Sequence, residues 1–105
     1  MLPIAAITTT PSGLRRLSPL CQEIAQLWIS PKLQVEATAL NLNYRIYDSS
    51  LATFLQANWQ DYEAFVFCLA SGAVVRLIAP LLTDKADDPA VVVVDSAGKF
   101  AISLC

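Results

Sequence analysis

The chain has 105 residues, 55% hydrophobic and 15% charged, with seven basic and nine acidic side chains for a formal charge of −2. A domain of this length buries roughly 65% of the surface its unfolded chain exposes, enough for one core, and the composition excludes intrinsic disorder. The acidic balance leaves no surplus of cations for a phosphate backbone and argues against nucleic acid as a partner.

There is no histidine. That removes Ser-His and Cys-His nucleophilic pairs, imidazole acid–base catalysis and histidine zinc sites, and leaves carboxylate, Lys, Arg, Tyr, Ser/Thr and Cys. Cys21, Cys68 and Cys105 are odd in number and widely spaced. They make neither a disulfide framework nor a metal knuckle, and point to a reducing cytoplasm. Polar residues from Thr8 onward cut short the apolar run that a signal peptide needs.

In chain order, residues 3–7 (PIAAI) predict a first strand, closed by the polar turn TTTPSG at residues 8–13. Leu14, Leu17, Cys21, Ile24 and Leu27/Trp28 then recur at helical spacing. Pro19 inside this pattern predicts a kink, or a fresh helix start at Ser18-Pro19. Residues 27–30 predict a short second strand ended by Pro31, and residues 32–42, without a clean period, a loop. Residues 44–47 (YRIY) favour a strand. Asp48, Ser49 and Ser50 offer caps for a helix over 51–59 with Leu51, Phe54, Leu55, Asn58 and Trp59 on one face.

Residues 64–82 carry a single charge, Arg76, and a hydropathy window marks them as a membrane span. Ser71, Gly72 and Pro80 interrupt the run, and inserting Arg76 costs roughly 2.5 to 3.5 kcal/mol. A buried strand over 64–70, a Ser-Gly turn and a buried helix over 73–82 account for it without lipid. Residues 90–94 (AVVVV) predict a strand, and 99–104 another, with Phe100, Ile102 and Leu104 alternating. The turn at 95–98 joins these two as a hairpin. Strands alternating with helices predict a single α/β domain over residues 1–105. It is a small flavodoxin-like three-layer fold with a mostly parallel sheet and a C-terminal antiparallel hairpin.

Ligands of such sheets collect beyond the carboxyl ends of the strands, where two loops are expected. The first holds Thr9, Thr10 and Ser12 at a strand-to-helix junction, suited either to capping or to an anion on the helix amides. It lacks a P-loop Lys and a dinucleotide glycine pattern. The second, Ser71-Gly72, precedes a helix whose one charge is Arg76, which pairs either with a ligand anion or with Asp84, Asp87, Asp88 or Asp95. The stretch TDKADDP at 83–89 offers carboxylates as a general base or as a ligand set for a hard cation, or reads as a solvated loop. Cys68 reads as an inert core residue.

Residues 62–104, above all FVFCLASGAVVRLIAPLLTDKADDPAVVVVDSAGKFAISL, closely resemble the N-terminal domain of the CbiG family, the cobalt-precorrin-5A hydrolases of anaerobic cobalamin biosynthesis. Gly72, Arg76, Ala79, Pro80, Asp84, Lys85, Asp88, Pro89, Asp95, Gly98 and Ser103 fall on the family pattern. The first sixty residues match it mainly in layout. In the family the last strand runs into a loop of the type S-G-H-x-G-G, which this sequence does not contain, so a fragment of a longer chain with an incomplete catalytic unit is expected.

The resemblance implies hydrolysis of the δ-lactone of a cobalt-containing tetrapyrrole, followed by loss of a two-carbon fragment as acetaldehyde. Cobalt-precorrin-5A is then the substrate, cobalt arrives inside it, and no separate cofactor or metal site is expected. By residue type, Asp84 and Asp88 are candidate bases. Ser71, Gly72 and Arg76, with Thr9, Thr10 and Ser12, suit oxyanion stabilisation or substrate carboxylates. Two alternatives stay open: a flavodoxin-like mononucleotide binder using the TTTPSG loop, and a non-catalytic domain docking onto the rest of its chain or a tetrapyrrole methyltransferase.

Overall fold

In the computed structural model of the chain, residues 3–83, 87–97 and 101–104 are described. Six strands form one sheet: β1 (Ile4–Thr8), β2 (Ala25–Ile29), β3 (Tyr44–Ile46), β4 (Ala64–Cys68), β5 (Ala90–Val94) and β6 (Ala101–Ser103). Their order is β3-β2-β1-β4-β5-β6, with β1 to β5 parallel and β6 antiparallel to β5. This is the three-layer, mostly parallel fold with a C-terminal antiparallel pair that the sequence predicts. Its order is 3-2-1-4-5 where flavodoxin itself has 2-1-3-4-5; both are doubly wound about one switch point, which here lies between β1 and β4.

The period-two strand pattern sorts the core into two clusters. Ala5, Ile7, Phe65, Phe67, Val91 and Val93 face one side, under α3 (Leu51–Asn58) and α4 (Ser71–Ile78). Ala6, Leu27, Ile29, Val66 and Cys68 face the other, under α1 (Pro11–Cys21) and α2 (Gln34–Ala39). Stacked rings fill the first cluster, with Trp59 on Phe65 at 5.2 Å and Tyr47 on Phe54 at 5.1 Å between centroids.

Each long helix begins where its cap allows. Pro11 holds the first position of α1 while the Thr10 hydroxyl accepts from the Gly13 amide. At α3 the Ser50 hydroxyl accepts from the Thr53 amide at 3.1 Å. The α1 pattern stops earlier than its apolar spacing predicts: the helix runs through Pro19, ends at Cys21, and residues from Ala25 join the sheet. The fresh start at Ser18-Pro19 is not used.

The predicted loop at 32–42 is corrected. It holds a 3₁₀ turn (Pro31–Leu33) and the six-residue α2, which bury only Leu33 and Ala37 and leave Val35 at 78% exposure. Asn41 closes α2 in the left-handed region (φ 59°), with Leu42 N–H donating to Ala37 O and Asn41 N–H to Thr38 O, a Schellman arrangement. The predicted alternation of the last strand is not seen on β6: Ala101, Ile102 and Ser103 are all exposed, and half-buried Leu104 packs on the α3–α4 core. Lys99 and Phe100 lie outside the described residues. Among the described residues no helix is long and apolar enough to cross a membrane; β4 ends at Cys68, and Ser71 and Gly72, expected as a turn, are instead the first residues of α4, which ends at Ile78 rather than reaching residue 82.

Candidate functional site

The carboxyl ends of β1 and β4 pair closely, Thr8 opposite Cys68, and both chains then turn into helices. Thr8, fully buried, donates its hydroxyl to Cys68 O at 3.0 Å and locks the two strand ends together. The same oxygen accepts from the Thr10 amide at 3.4 Å. Gly13, one turn into α1, lies directly over this hydroxyl: a Cβ there would collide with Thr8 Oγ1 and stand 2.8 Å from Thr8 Cβ. The Thr-rich turn is therefore a clamped structure, with Thr10 and Ser12 also linked through their hydroxyls at 3.3 Å.

Above this clamp opens a cleft of about 530 Å³ lined by Thr9, Thr10, Ser12, Cys68, Leu69, Ala70, Ala73, Asp95 and Ser96. It lies between the first turns of α1 and α4, beyond the switch point, where helix amides favour negative charge. The three hydroxyl residues expected from the sequence, Thr9, Thr10 and Ser12, all line it. Ser71 and Gly72 are exposed and stand on α4 between the lining residues Ala70 and Ala73.

Arg76 is exposed. The sequence-based picture of a charge on a buried helix is corrected here, because α4 buries only Val74 and Ile78 and turns Arg76 with Val75 outward. Its guanidinium leans back toward the helix start, with Nη1 3.8 Å from where a Gly72 Cβ would stand. A cation is thus held at the first turn of α4, with no burial cost demanding an internal partner.

Of the two acidic candidates, the one among the described residues, Asp88, does not join the cleft. Asp84 lies outside the described residues. Asp88 precedes β5 and so sits at the amino end of the sheet, roughly 20 Å from the cleft by strand rise. There it accepts hydrogen bonds from Trp59 Nε1 (3.3 Å), the Thr83 amide (3.0 Å) and the Thr83 hydroxyl (3.2 Å). Buried Pro89 follows it at the mouth of β5.

Sequence reasoning passed over Arg16, Asp95 and Ser96 as site residues. Asp95 follows β5 directly and lines the cleft, and Arg16 on α1 donates from Nε to Ser96 O at 3.5 Å. The available signal was positional: a residue after a parallel strand shares the end of the sheet with the other post-strand loops. Neither buried thiol is a ready nucleophile. Burial pushes Cys21 up to about 11, and burial also raises Cys68, with the Arg16 charge pulling it down and the Asp95 charge pushing it up.

Comparison with known proteins gives one consistent answer. The family described as cobalamin synthesis G N-terminal matches residues 53–105. A cobalt-precorrin-5A hydrolase of Salmonella typhimurium is 34% identical over 102 residues, covering 96% of this chain and 27% of that protein. Its namesake from Priestia megaterium is 40% identical over 62 residues, covering 59% of this chain and 17% of that protein. The chain thus spans under a third of the curated relatives it matches. The crystal structure of a cobalamin biosynthesis protein G homolog from Sulfolobus solfataricus superposes on 97% of this chain and 28% of its own, at TM-score 0.59 and 19% identity, and so supports the fold alone. With half the chain matched by the family and the doubly wound fold shared with a homolog, this protein belongs to the cobalamin synthesis G N-terminal (CbiG N-terminal) family.

Proposed function

We propose that this chain acts as the N-terminal domain of a cobalt-precorrin-5A hydrolase and that its cleft receives side-chain carboxylates of the tetrapyrrole. The observation that carries the reading is the 34% identity, over nearly the whole chain, to a protein of that name. The arrangement of the cleft fits it: hydroxyls of Thr9, Thr10 and Ser12 and the first turn of α4 supply donors, and Arg76, on α4 beside the cleft, supplies a local positive charge that the net charge of −2 does not. In the reaction, water adds to the δ-lactone carbonyl, the ring ester bond opens, and the two-carbon fragment leaves as acetaldehyde. Cobalt travels in the substrate.

The exposed edge strand β6, with Ile102 at 40% exposure, supports a second role for this domain, docking onto the remaining domains of its parent chain. The test is acetaldehyde release from cobalt-precorrin-5A. The full-length protein is expected to release it and the 105-residue chain to release none. Turnover by the 105 residues alone contradicts the division of labour, and no turnover by the full-length protein contradicts the function.

A further inference from the structure

We infer that Asp95 is the general base of the lactone-opening step. The inference rests on the proposed function above and adds the residue that performs its chemistry. Hydrolysis needs a group to take a proton from water beside the carbonyl, and a carboxylate is one of the groups that can do so. Among the described residues lining the cleft, Asp95 is the one carboxylate; the rest are hydroxyls, apolar side chains and the Cys68 thiol, whose proton burial holds in place.

Position supports the assignment. Asp95 follows the last residue of β5, at the carboxyl end of a parallel strand, and so shares the cleft with the first turns of α1 and α4. A lactone carbonyl lying between them has a base on one side and backbone amides for the developing oxyanion on the other. Asp95 is half-buried, and its neighbour is fastened to α1 by Arg16 Nε donating to Ser96 O at 3.5 Å. By contrast Asp88 has its oxygens engaged by Trp59 and Thr83 at the opposite end of the sheet.

The step balances without a redox partner. The Asp95 carboxylate removes one proton from water, whose oxygen bonds to the lactone carbonyl carbon. The tetrahedral intermediate collapses with cleavage of the ring C–O bond, and the departing alkoxide takes the proton back from Asp95. A substrate carboxylic acid, which gives up its proton to solvent, and a free hydroxyl result, with Asp95 again ionised.

The test uses the full-length hydrolase. Asp95→Asn is expected to bind cobalt-precorrin-5A within threefold of wild type while acetaldehyde formation falls at least 100-fold, the low end of the usual contribution of a general base. Asp95→Ala with added sodium formate is expected to recover at least tenfold of its rate, which a structural role does not produce. Asp95→Asn keeping more than a tenth of the wild-type rate overturns the inference, as does loss of binding in a folded variant or absence of formate rescue. If Asp95→Asn does not fold, as read by thermal unfolding, Asp95→Ser with formate carries the same test. Wild type without turnover removes the functional reading itself; wild type active with an active Asp95→Asn removes this inference alone.

Discussion

Gly13→Ala probes the clamp on which the cleft is built. The new methyl would collide with the Thr8 hydroxyl and stand 2.8 Å from Thr8 Cβ, neither of which is the far end of a flexible side chain. Relief requires α1 to lift or Thr8 to rotate, and rotation breaks the buried bond to Cys68 O. Overpacking of this kind costs about 1 to 3 kcal/mol, and orphaning a buried hydroxyl and carbonyl a similar amount. Against this stands a helix-propensity gain of about 1 kcal/mol for replacing Gly by Ala. A net loss of about 1 to 5 kcal/mol follows, and for a domain of about 100 residues each kcal/mol lowers Tm by roughly 4 to 8 °C. Thermal and urea unfolding of wild type, Gly13→Ala, Thr8→Ala and the double variant form the assay. Because Thr8→Ala removes the obstructing hydroxyl, the double variant is expected to fall well short of additivity. A Gly13→Ala protein as stable as wild type, or more so, refutes the close approach.

Three further outcomes are expected. Arg76→Ala in the full-length hydrolase weakens cobalt-precorrin-5A binding by about 1.5 to 3 kcal/mol, read by titration, while Tm barely moves because the residue is exposed; Arg76→Lys recovers part of the affinity. Pro89→Ala lowers stability by about 0.4 to 1 kcal/mol and leaves kcat unchanged, since buried Pro89 restrains the approach to β5 at the end of the sheet away from the cleft; lost turnover at unchanged Tm contradicts this. Finally, burial raises Cys21 to about 11 and also raises Cys68 and Tyr47. The folded state thus holds these protons more tightly than the unfolded one, so stability present below about pH 9 falls as pH climbs toward 11. Cys21→Ala flattens that slope in urea titrations, and an unchanged slope speaks against the thiol as its source.

Much of the fold was legible because strand and helix periods are local. The runs IAAI, AFVFC and AVVVV are continuous and apolar, as strands covered on both faces should be, and Ser50 announces α3 one residue before its apolar face begins. α2 was illegible for a physical reason: six residues with Ala37 alone buried present no stripe, and a closing Asn41 is a weaker signal than glycine. The reach of α1 was overestimated because Ile24 keeps helical spacing with Cys21, although Ile24 is 45% exposed and the chain has already left the helix. In the cleft, Thr9, Thr10 and Ser12 were readable from the strand-to-helix turn. Arg76 was placed at the right height and given the wrong burial, since an apolar stretch does not reveal which of its faces meets solvent. Asp88 and Asp95 were separable in principle: one precedes β5 and the other follows it, and in a parallel sheet that difference sets them at opposite ends.

The proposal that the cleft beyond the carboxyl ends of β1 and β4 receives side-chain carboxylates of the tetrapyrrole is tested most directly by filling it. Ala70, the exposed residue capping α4, lines the cleft and takes no part in either core cluster. Ala70→Trp in the full-length hydrolase, titrated with cobalt-precorrin-5A beside wild type, is expected to weaken binding at least tenfold with Tm unchanged. A folded Ala70→Trp protein that binds as tightly as wild type would contradict the account.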